Sequence, residues 1–555
     1  MVKIESLRKW FLINNIVIKV FKNCYTITKQ LLWIRKVGKI TVKLDKIIFY
    51  AFLLLSIKSC TDNVRTDNSF IIATYDDVKD WDPATAFSLE VMPMSNIYEP
   101  LLWYDASVSP GRFVPGLATS YKKSSDGLTW DFYLREGVTF HDGELFDSKA
   151  VKFVIERNKT MNGGASYIWS SVEQVLTKDP YRVTIKLSSP VPLDKIVSSQ
   201  YGAWMYSPAI ANLPFDSLQH GYGAGTGPYQ FKNWIKNKHI ILEKYDEYWG
   251  GWNRDDHFNS IIIKTVSESS TRLQMIENGL VDYALLIPVQ LLDRLKKNPN
   301  VGISYIPSWV NHFYLLNTKK FPTSNLWVRR SIAASMDRKT ISDYIYRGAG
   351  DESKGLIPHN IPLFISPDSL ISFDLRRAKK YLQKSQIKPD SESINISYVS
   401  TSEEYRLTSY LLMDNLRKIG LGLNLNPGLW TMNWDKARKL ESSPNIISMA
   451  WWPTLPSPSD WFFGLYRTEE KPLFNLSHYS NSKIDSLIEL AWENESLSPE
   501  ISKNIYKDIQ DILIRDCVVI PVVDINVQSV YNNNIVGLKN NPAYSTLFIY
   551  SLGRK

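Results

Sequence analysis

The residues that could do chemistry in this chain are few and dispersed. Its seven histidines lie far apart, at 141, 220, 239, 257, 312, 359 and 478. No two of them have the four-residue spacing of a zinc-binding helix, and neither H-E-x-x-H nor G-x-S-x-G occurs. A hydrolase needs a nucleophile activated by a neighbouring base, or a metal with an open position. Neither arrangement is legible, so an exported hydrolase finds no support and no catalytic residue is assigned. Glycines at 221, 223, 225 and 227 imitate a dinucleotide fingerprint, but they recur at every second residue and run into Pro228. A nucleotide site would need a helix start with open amides there. No cofactor and no metal site are expected. The chemistry that remains is binding: the chain is 13% aromatic, with 18 Trp and 30 Tyr. Flat rings supply contact area for a solute at low entropic cost, although core packing claims most rings in so long a chain.

Three cysteines, Cys24, Cys60 and Cys517, imply no disulfide framework. Cys60 ends the segment Ile57-Lys58-Ser59-Cys60, which resembles a lipobox, the site where a signal peptidase cuts and the thiol takes up diacylglycerol. Lys58 departs from the small residue usual at its position. Upstream stand Lys39, Lys43 and Lys46 and then a largely apolar run at 47–57. At about 1.5 Å per residue that run spans about half of a ~30 Å bilayer core, which makes it the apolar region of a signal peptide. The earlier apolar stretch at 10–21 is interrupted by Asn14, Asn15 and Lys19, and residues 1–36 read as an over-extended gene start. Residues 1–59 hold 12 of the 65 Lys/Arg and 2 of the 56 Asp/Glu, leaving 53 against 54 in residues 60–555. The net charge of +9 therefore belongs to the leader, and a nucleic-acid partner is not expected. The body is expected outside the cytoplasm, periplasmic or extracytoplasmic, and lipid-anchored to a bacterial membrane through Cys60.

The 555 residues exceed one ordinary core, so at least two lobes are expected. After a polar tether at 60–68, strands are expected at 70–74, 130–134, 183–187 and 240–243, and a helix at 148–157 capped by Ser148. The second half repeats the pattern, with helices at 327–346, 374–384 and 404–419 and a strand at 394–399. Strand-like segments at 517–523 and 545–552 are expected to return to the first lobe. The fold class is α/β. Ser125-Asp126-Gly127 reads as a turn, Gly137 and Gly143 bracket a loop around His141 and Asp142, and Gly225 and Gly227 before Pro228 form a rigid bend.

Seven collinear segments carry a family resemblance. They are SNIYEPLLWYD at 95–105, GLATSYKKSSDGLTWDFYLREGVTFHDGELFDSKAVKFVIER at 116–157, GTGPYQF at 225–231, EYWGG at 247–251, RLQMIENGLVDYA at 272–284, VRRSIAASMDRKTISDYIYRGAG at 328–350 and NLSHYSNSKIDSLIELA at 475–491. The chain resembles, over residues 69–553, the extracytoplasmic solute-binding proteins of family 5, the peptide-, oligopeptide- and nickel-binding receptors of ATP-binding-cassette importers. The resemblance implies a two-lobe periplasmic binding protein of type II, cluster C, that closes on its ligand about a hinge. Lobe I would hold 69–312 and 521–555, with an extra subdomain at 110–220, and lobe II would hold 313–520. The hinge candidates are 311–317 and 521–526.

The resemblance also implies site residues. Tyr98, in the Y-E-P-L segment, matches a tyrosine that faces the cleft in similar proteins. Trp451 and Trp452, in SMAWWPTLPSPSDWFFG at 448–464, match a second cleft segment and are candidate walls. In peptide-binding members an Asp a few residues later grips the ligand's α-ammonium. Thr454 occupies that place in an ungapped alignment, and Asp460 could take it if the loop shifts. A Thr cannot neutralise an ammonium. His312, beside Trp309 and Asn311 near the predicted crossover, completes the candidates. The expected ligand is a peptide or peptide-like solute, with glutathione, a nickel chelate or a saccharide as alternatives, and the expected partner is the membrane permease of an importer. A sensory or adhesive use of the same clamp is the remaining reading.

Overall fold

The computed structural model describes residues 68–555, apart from 219–220, 389–392, 540 and 545. The leader, Cys60 and the start of the tether lie outside the described residues. Continuous apolar runs build the main sheet. Ser69–Thr74 is buried at every position and pairs in parallel with Ser260–Thr265 on one side and Tyr283–Ala284 on the other. Parallel strands need crossovers and covered faces, so SFIIAT lacks the alternation of a surface strand. His239–Lys244 and Tyr229–Ile235 extend that edge in antiparallel fashion.

At the centre of this eleven-stranded sheet are two long antiparallel strands, Val301–Leu316 and Val519–Asn532. They pair from Val301 opposite Asn532 to Leu315 opposite Val519. On one flank Val519–Asn532 meets Tyr283–Ala284. On the other, Val301–Leu316 meets Ile446–Trp451, beyond which lie Ser393–Val399 and Gly422–Gly428. Backbone hydrogen bonds thus run unbroken from one half of the protein to the other. The register of the long pair slips between Pro307 and Val310 and again between His312 and Phe313. At the first slip Ser308 patches the ladder, donating its hydroxyl to the Ile525 carbonyl at 2.6 Å and accepting from the Val310 amide at 3.2 Å.

Each half has its own apolar core. One gathers Phe70, Trp81, Trp130, Trp169 and Trp204, and the other Phe313, Trp461, Phe462, Tyr506 and Leu513. A separate four-stranded antiparallel sheet, in the order Ala118–Lys123, Thr129–Leu134, Arg182–Leu187, Val172–Asp179, belongs to the first core. Its strand TWDFYL alternates as a half-buried strand should, with Trp130, Phe132 and Leu134 inward.

Four local readings need correction. The helix expected from 148 is Ser148–Met161, but its cap is Asp147, whose carboxylate accepts from the Lys149 and Ala150 amides. The Ser148 hydroxyl is taken by the Asp179 carbonyl at 2.7 Å. The helix expected at 327–346 is broken: Leu326–Ala334 stops, Asp337 caps a new turn through the Thr340 amide, and Ile341–Tyr346 continues as a π-helix. A capping Asp inside an apolar periodicity gives the backbone a better partner than the continuing helix. The final segment is not a strand but a single helical turn, Ile549–Ser551. Gly225 and Gly227 serve close approach rather than a turn, since a Cβ on Gly225 would stand 2.0 Å from the Ile97 carbonyl oxygen and one on Gly227 2.7 Å. His141 locks the same segment, accepting from the Gly225 amide at 3.3 Å and donating through Nε2 to the Gly227 carbonyl at 2.8 Å. Burial pushes this imidazole down to about 4, so it stays neutral and holds one tautomer.

A pair of glycine substitutions separates these roles. Gly225→Ala forces a backbone clash and is expected to lower unfolding free energy by about 2–3 kcal/mol. Gly137→Ala, with positive φ but nothing within 4 Å of the added Cβ, should cost about 1 kcal/mol. Urea titrations of the two variants check the order.

Candidate ligand-binding cleft

The segment that follows strand Ile446–Trp451 turns through three prolines, Pro453, Pro456 and Pro458, into helix Ser459–Tyr466. Proline limits the turn to few conformations, and the turn folds Asp460 back onto the strand end. Trp451 Nε1 donates to Asp460 Oδ2 at 2.8 Å, and the Thr454 amide donates to the same oxygen at 2.9 Å. The Tyr167 hydroxyl lies 3.2 Å from both Asp460 Oδ1 and Thr454 Oγ1. Asp460 is 2% exposed, and burial pushes its carboxyl up to about 6, against the pull of these neutral donors. Among the described residues no Lys or Arg is a partner of it. The site therefore holds a desolvated carboxylate with directed hydrogen bonds and no counter-charge.

The facing wall comes from residues 199–201. Ser199 Oγ donates to the Thr454 carbonyl at 2.6 Å, the Gln200 amide donates to it at 3.2 Å, and Gln200 Nε2 donates to the Pro453 carbonyl. Trp452 Nε1 donates to the Tyr201 hydroxyl at 3.1 Å, which in turn donates to the Ser88 carbonyl at 2.9 Å. Aromatic rings continue across: Phe87 packs against Tyr201 at 4.9 Å and Phe474 at 5.5 Å, and Phe474 stands edge-on to Trp451 at 5.1 Å. Beside them Lys195 pairs with Glu495, a fully buried carboxylate that also accepts from Ser457 Oγ and the Tyr506 hydroxyl. Two parts of the chain some 250 residues apart thus meet face to face.

Of the residues singled out in the sequence, Trp451, Trp452, Thr454 and Asp460 come together here. Thr454 and Asp460 share one carboxylate–amide bond, so the carboxylate is present at the threonine through the fold of the loop. Tyr98 lies deeper, 1% exposed, its ring 6.3 Å from Trp204, which stands edge-on to Tyr201 at 5.9 Å. His312 lies within the central strand Val301–Leu316 and is fully buried. It stacks on Tyr405 at 4.2 Å, with Nε2 2.7 Å from Ser448 Oγ and Nδ1 3.0 Å from the Tyr346 hydroxyl. Burial holds it neutral, down to about 3. Sequence reading missed Tyr167, Ser199, Gln200, Tyr201 and Glu90. None carries a local signal, because their importance comes from what they face. Glu90 is 3% exposed, and burial raises its pKa.

With this geometry in hand, comparison with known proteins is direct. Residues 112–472 match the family described as bacterial extracellular solute-binding proteins, family 5 Middle. The chain belongs to that family. Among relatives of family 5, the probable D,D-dipeptide-binding periplasmic protein DdpA of Escherichia coli (strain K12) is 25% identical over 437 residues, 78% of this chain and 83% of that protein. The glutathione-binding protein GsiB of Salmonella paratyphi A is 26% identical over 431 residues, 76% of this chain and 82% of its own. The fold matches solved structures at the same breadth. The periplasmic binding protein DppA from Helicobacter pylori, in complex with peptide STSA, gives a TM-score of 0.78 at 21% identity, covering 88% of this chain and 98% of that one. NikA from Staphylococcus aureus, in complex with Ni(L-His)2, gives 0.77 at 19%, covering 88% and 100%. The protein is a two-lobe α/β extracellular solute-binding protein of family 5. Among the described residues no helix is long and apolar enough to cross a membrane.

Asp460 makes a pH prediction. Its folded-state pKa, about 6, lies above the ordinary 3.8, so its contribution to stability is present at low pH and lost as pH rises through 6. Replacing it by Asn removes that loss. Between pH 4 and 7 the stability of Asp460→Asn should gain about 2–3 kcal/mol relative to the unsubstituted protein, measured by urea unfolding without solute.

Proposed function

We propose that this protein is an extracytoplasmic receptor that captures a peptide or peptide-like solute between its lobes and delivers it to the membrane permease of an ATP-binding-cassette importer. The observation that carries the reading is Asp460, a buried carboxylate held by Trp451, Thr454 and Tyr167 with no cation among its partners. A solute's α-ammonium would supply the missing charge through a charge-assisted bond, and binding would displace the carboxyl's proton. Trp452 and Tyr201 would wall the bound solute. The likeness to peptide-binding structures of the same fold agrees with this reading. Glutathione carries a free ammonium of the same kind, and its binding proteins stand among the relatives. It is the second reading.

In this proposal lobe I comprises 69–312 and 521–555, with 110–220 as its added subdomain, and lobe II comprises 313–520. The long strands Val301–Leu316 and Val519–Asn532 bend at their register slips as the lobes close, and Lys195 with Glu495 closes the rim. The signal peptide is removed and Cys60 is lipidated, which tethers the receptor beside its permease.

Thermal unfolding with a panel of di- to hexapeptides, glutathione, nickel chelates and oligosaccharides tests the reading. A peptide at a hundredfold excess over its Kd should stabilise the native state by about 2.7 kcal/mol. Asp460→Asn should weaken that peptide at least about thirtyfold, by loss of a charge-assisted bond worth about 2 kcal/mol. A shift only with nickel chelates or oligosaccharides would replace the ligand class.

A further inference from the structure

Glu90 is a further buried carboxylate near this cleft, and one of its oxygens has no hydrogen-bond partner among the described residues. Oε1 accepts from the Lys79 amide at 2.8 Å and the Asp80 amide at 3.3 Å, which fixes the side chain. Oε2 is buried with no hydrogen-bond partner among the described residues. Glu90 precedes helix Val91–Ile97 and is two residues from Ser88, whose carbonyl receives the Tyr201 hydroxyl. Glu90 and Asp460 both act on that hydroxyl and push its pKa up, after burial itself, so both carboxylates lie within electrostatic reach of Tyr201. Tyr201 cannot serve Oε2, because its one hydrogen goes to Ser88 and its lone pair takes Trp452 Nε1. Arg272, the cation felt by the neighbouring Tyr75, is engaged by the carbonyls of Val266, Ser267, Leu285 and Leu286.

A buried oxygen left without a partner is costly, and more so on a carboxylate. Two backbone amides on Oε1 favour the ionised form, and a proton on Oε2 would have no acceptor in the protein. What fits the position is a positively charged donor brought from outside. We infer that Glu90 forms a second cation subsite of the cleft, which takes an ammonium or guanidinium group of the solute in addition to the amine at Asp460. The subsite rests on the proposed capture of a peptide-like solute, and it narrows that class to solutes with a basic side group.

Isothermal titration at 0.1 M salt with Ala-Ala-Ala and its three single-lysine versions, on the protein and on Glu90→Gln, tests it. The expected result is one lysine position that binds about tenfold or more tighter than trialanine. Glu90→Gln should erase that advantage while trialanine stays within about threefold, as Gln keeps an oxygen for the Lys79 and Asp80 amides. Trialanine binding with no lysine version tighter would overturn the subsite and leave the receptor standing. So would a lysine advantage that survives in Glu90→Gln, or tighter binding of a glutamate version. If no tripeptide binds, the peptide reading fails, and cadaverine and argininamide become the probes. Binding of either that is lost in Glu90→Gln keeps the subsite, and no binding removes it.

Discussion

The structure depends on one backbone ladder. Val301–Leu316 and Val519–Asn532 are the strands through which both halves of the sheet are joined, each flanked by a different half. A ladder is stiff to separation, because every broken amide–carbonyl pair must be resolvated, but it bends where the register slips. The slips at Pro307 and Val310 and at His312 and Phe313 leave short stretches with fewer directional bonds. The neighbouring His312 is held neutral by burial and fastened on both nitrogens by hydroxyl groups. Between the slips Asp524 stands opposite Asn311 and is buried, accepting from the Ser353 hydroxyl and from the amide and ring of His359, so this stretch of the ladder carries a buried carboxylate.

Asp460 and Glu90 are desolvated, take only neutral donors and have raised pKa values for that reason. Fold stability alone does not favour such groups, since burial of a carboxylate without a cation costs more than its hydrogen bonds return. Their contrast with Glu495 is informative, because that carboxylate is equally buried but has Lys195 beside it. Glu99 gives the other contrast: it is buried, accepts from Thr226, Tyr248 and Trp249, and is pushed up to about 7 by burial while fastening the scaffold.

Much of the fold was legible because it is written in contiguous residues. The apolar run at 70–74, the alternation of TWDFYL and the helical periodicity at 374–384 and 404–419 act within a few residues, and Ser69–Thr74, Thr129–Leu134, Leu375–Lys384 and Glu403–Arg417 stand where those patterns put them. Where local reading failed, a side chain had a choice of partners. Ser148 gave its hydroxyl to Asp179 and left the cap to Asp147, and Asp337 interrupted a helix whose apolar spacing continued through it. The glycines of GTGP looked like a turn, yet their reason is the Ile97 backbone, more than 120 residues earlier in the chain.

By itself the sequence determined the α/β class, the order of most elements, the family, and the aromatic and acidic segment at 448–464. Each of these depends on short-range periodicity or on motifs in unbroken runs. Tertiary structure alone decided which of the candidate residues come together. Whether Thr454 or Asp460 presents a carboxylate, whether His312 is exposed or sealed, and that Tyr167 belongs beside Asp460 and Tyr201 beside Trp452 all depend on burial and on contacts between residues far apart in the chain. A carboxylate's pKa and its need for a partner are set by what surrounds it in space, and that surrounding exists only once the chain has folded.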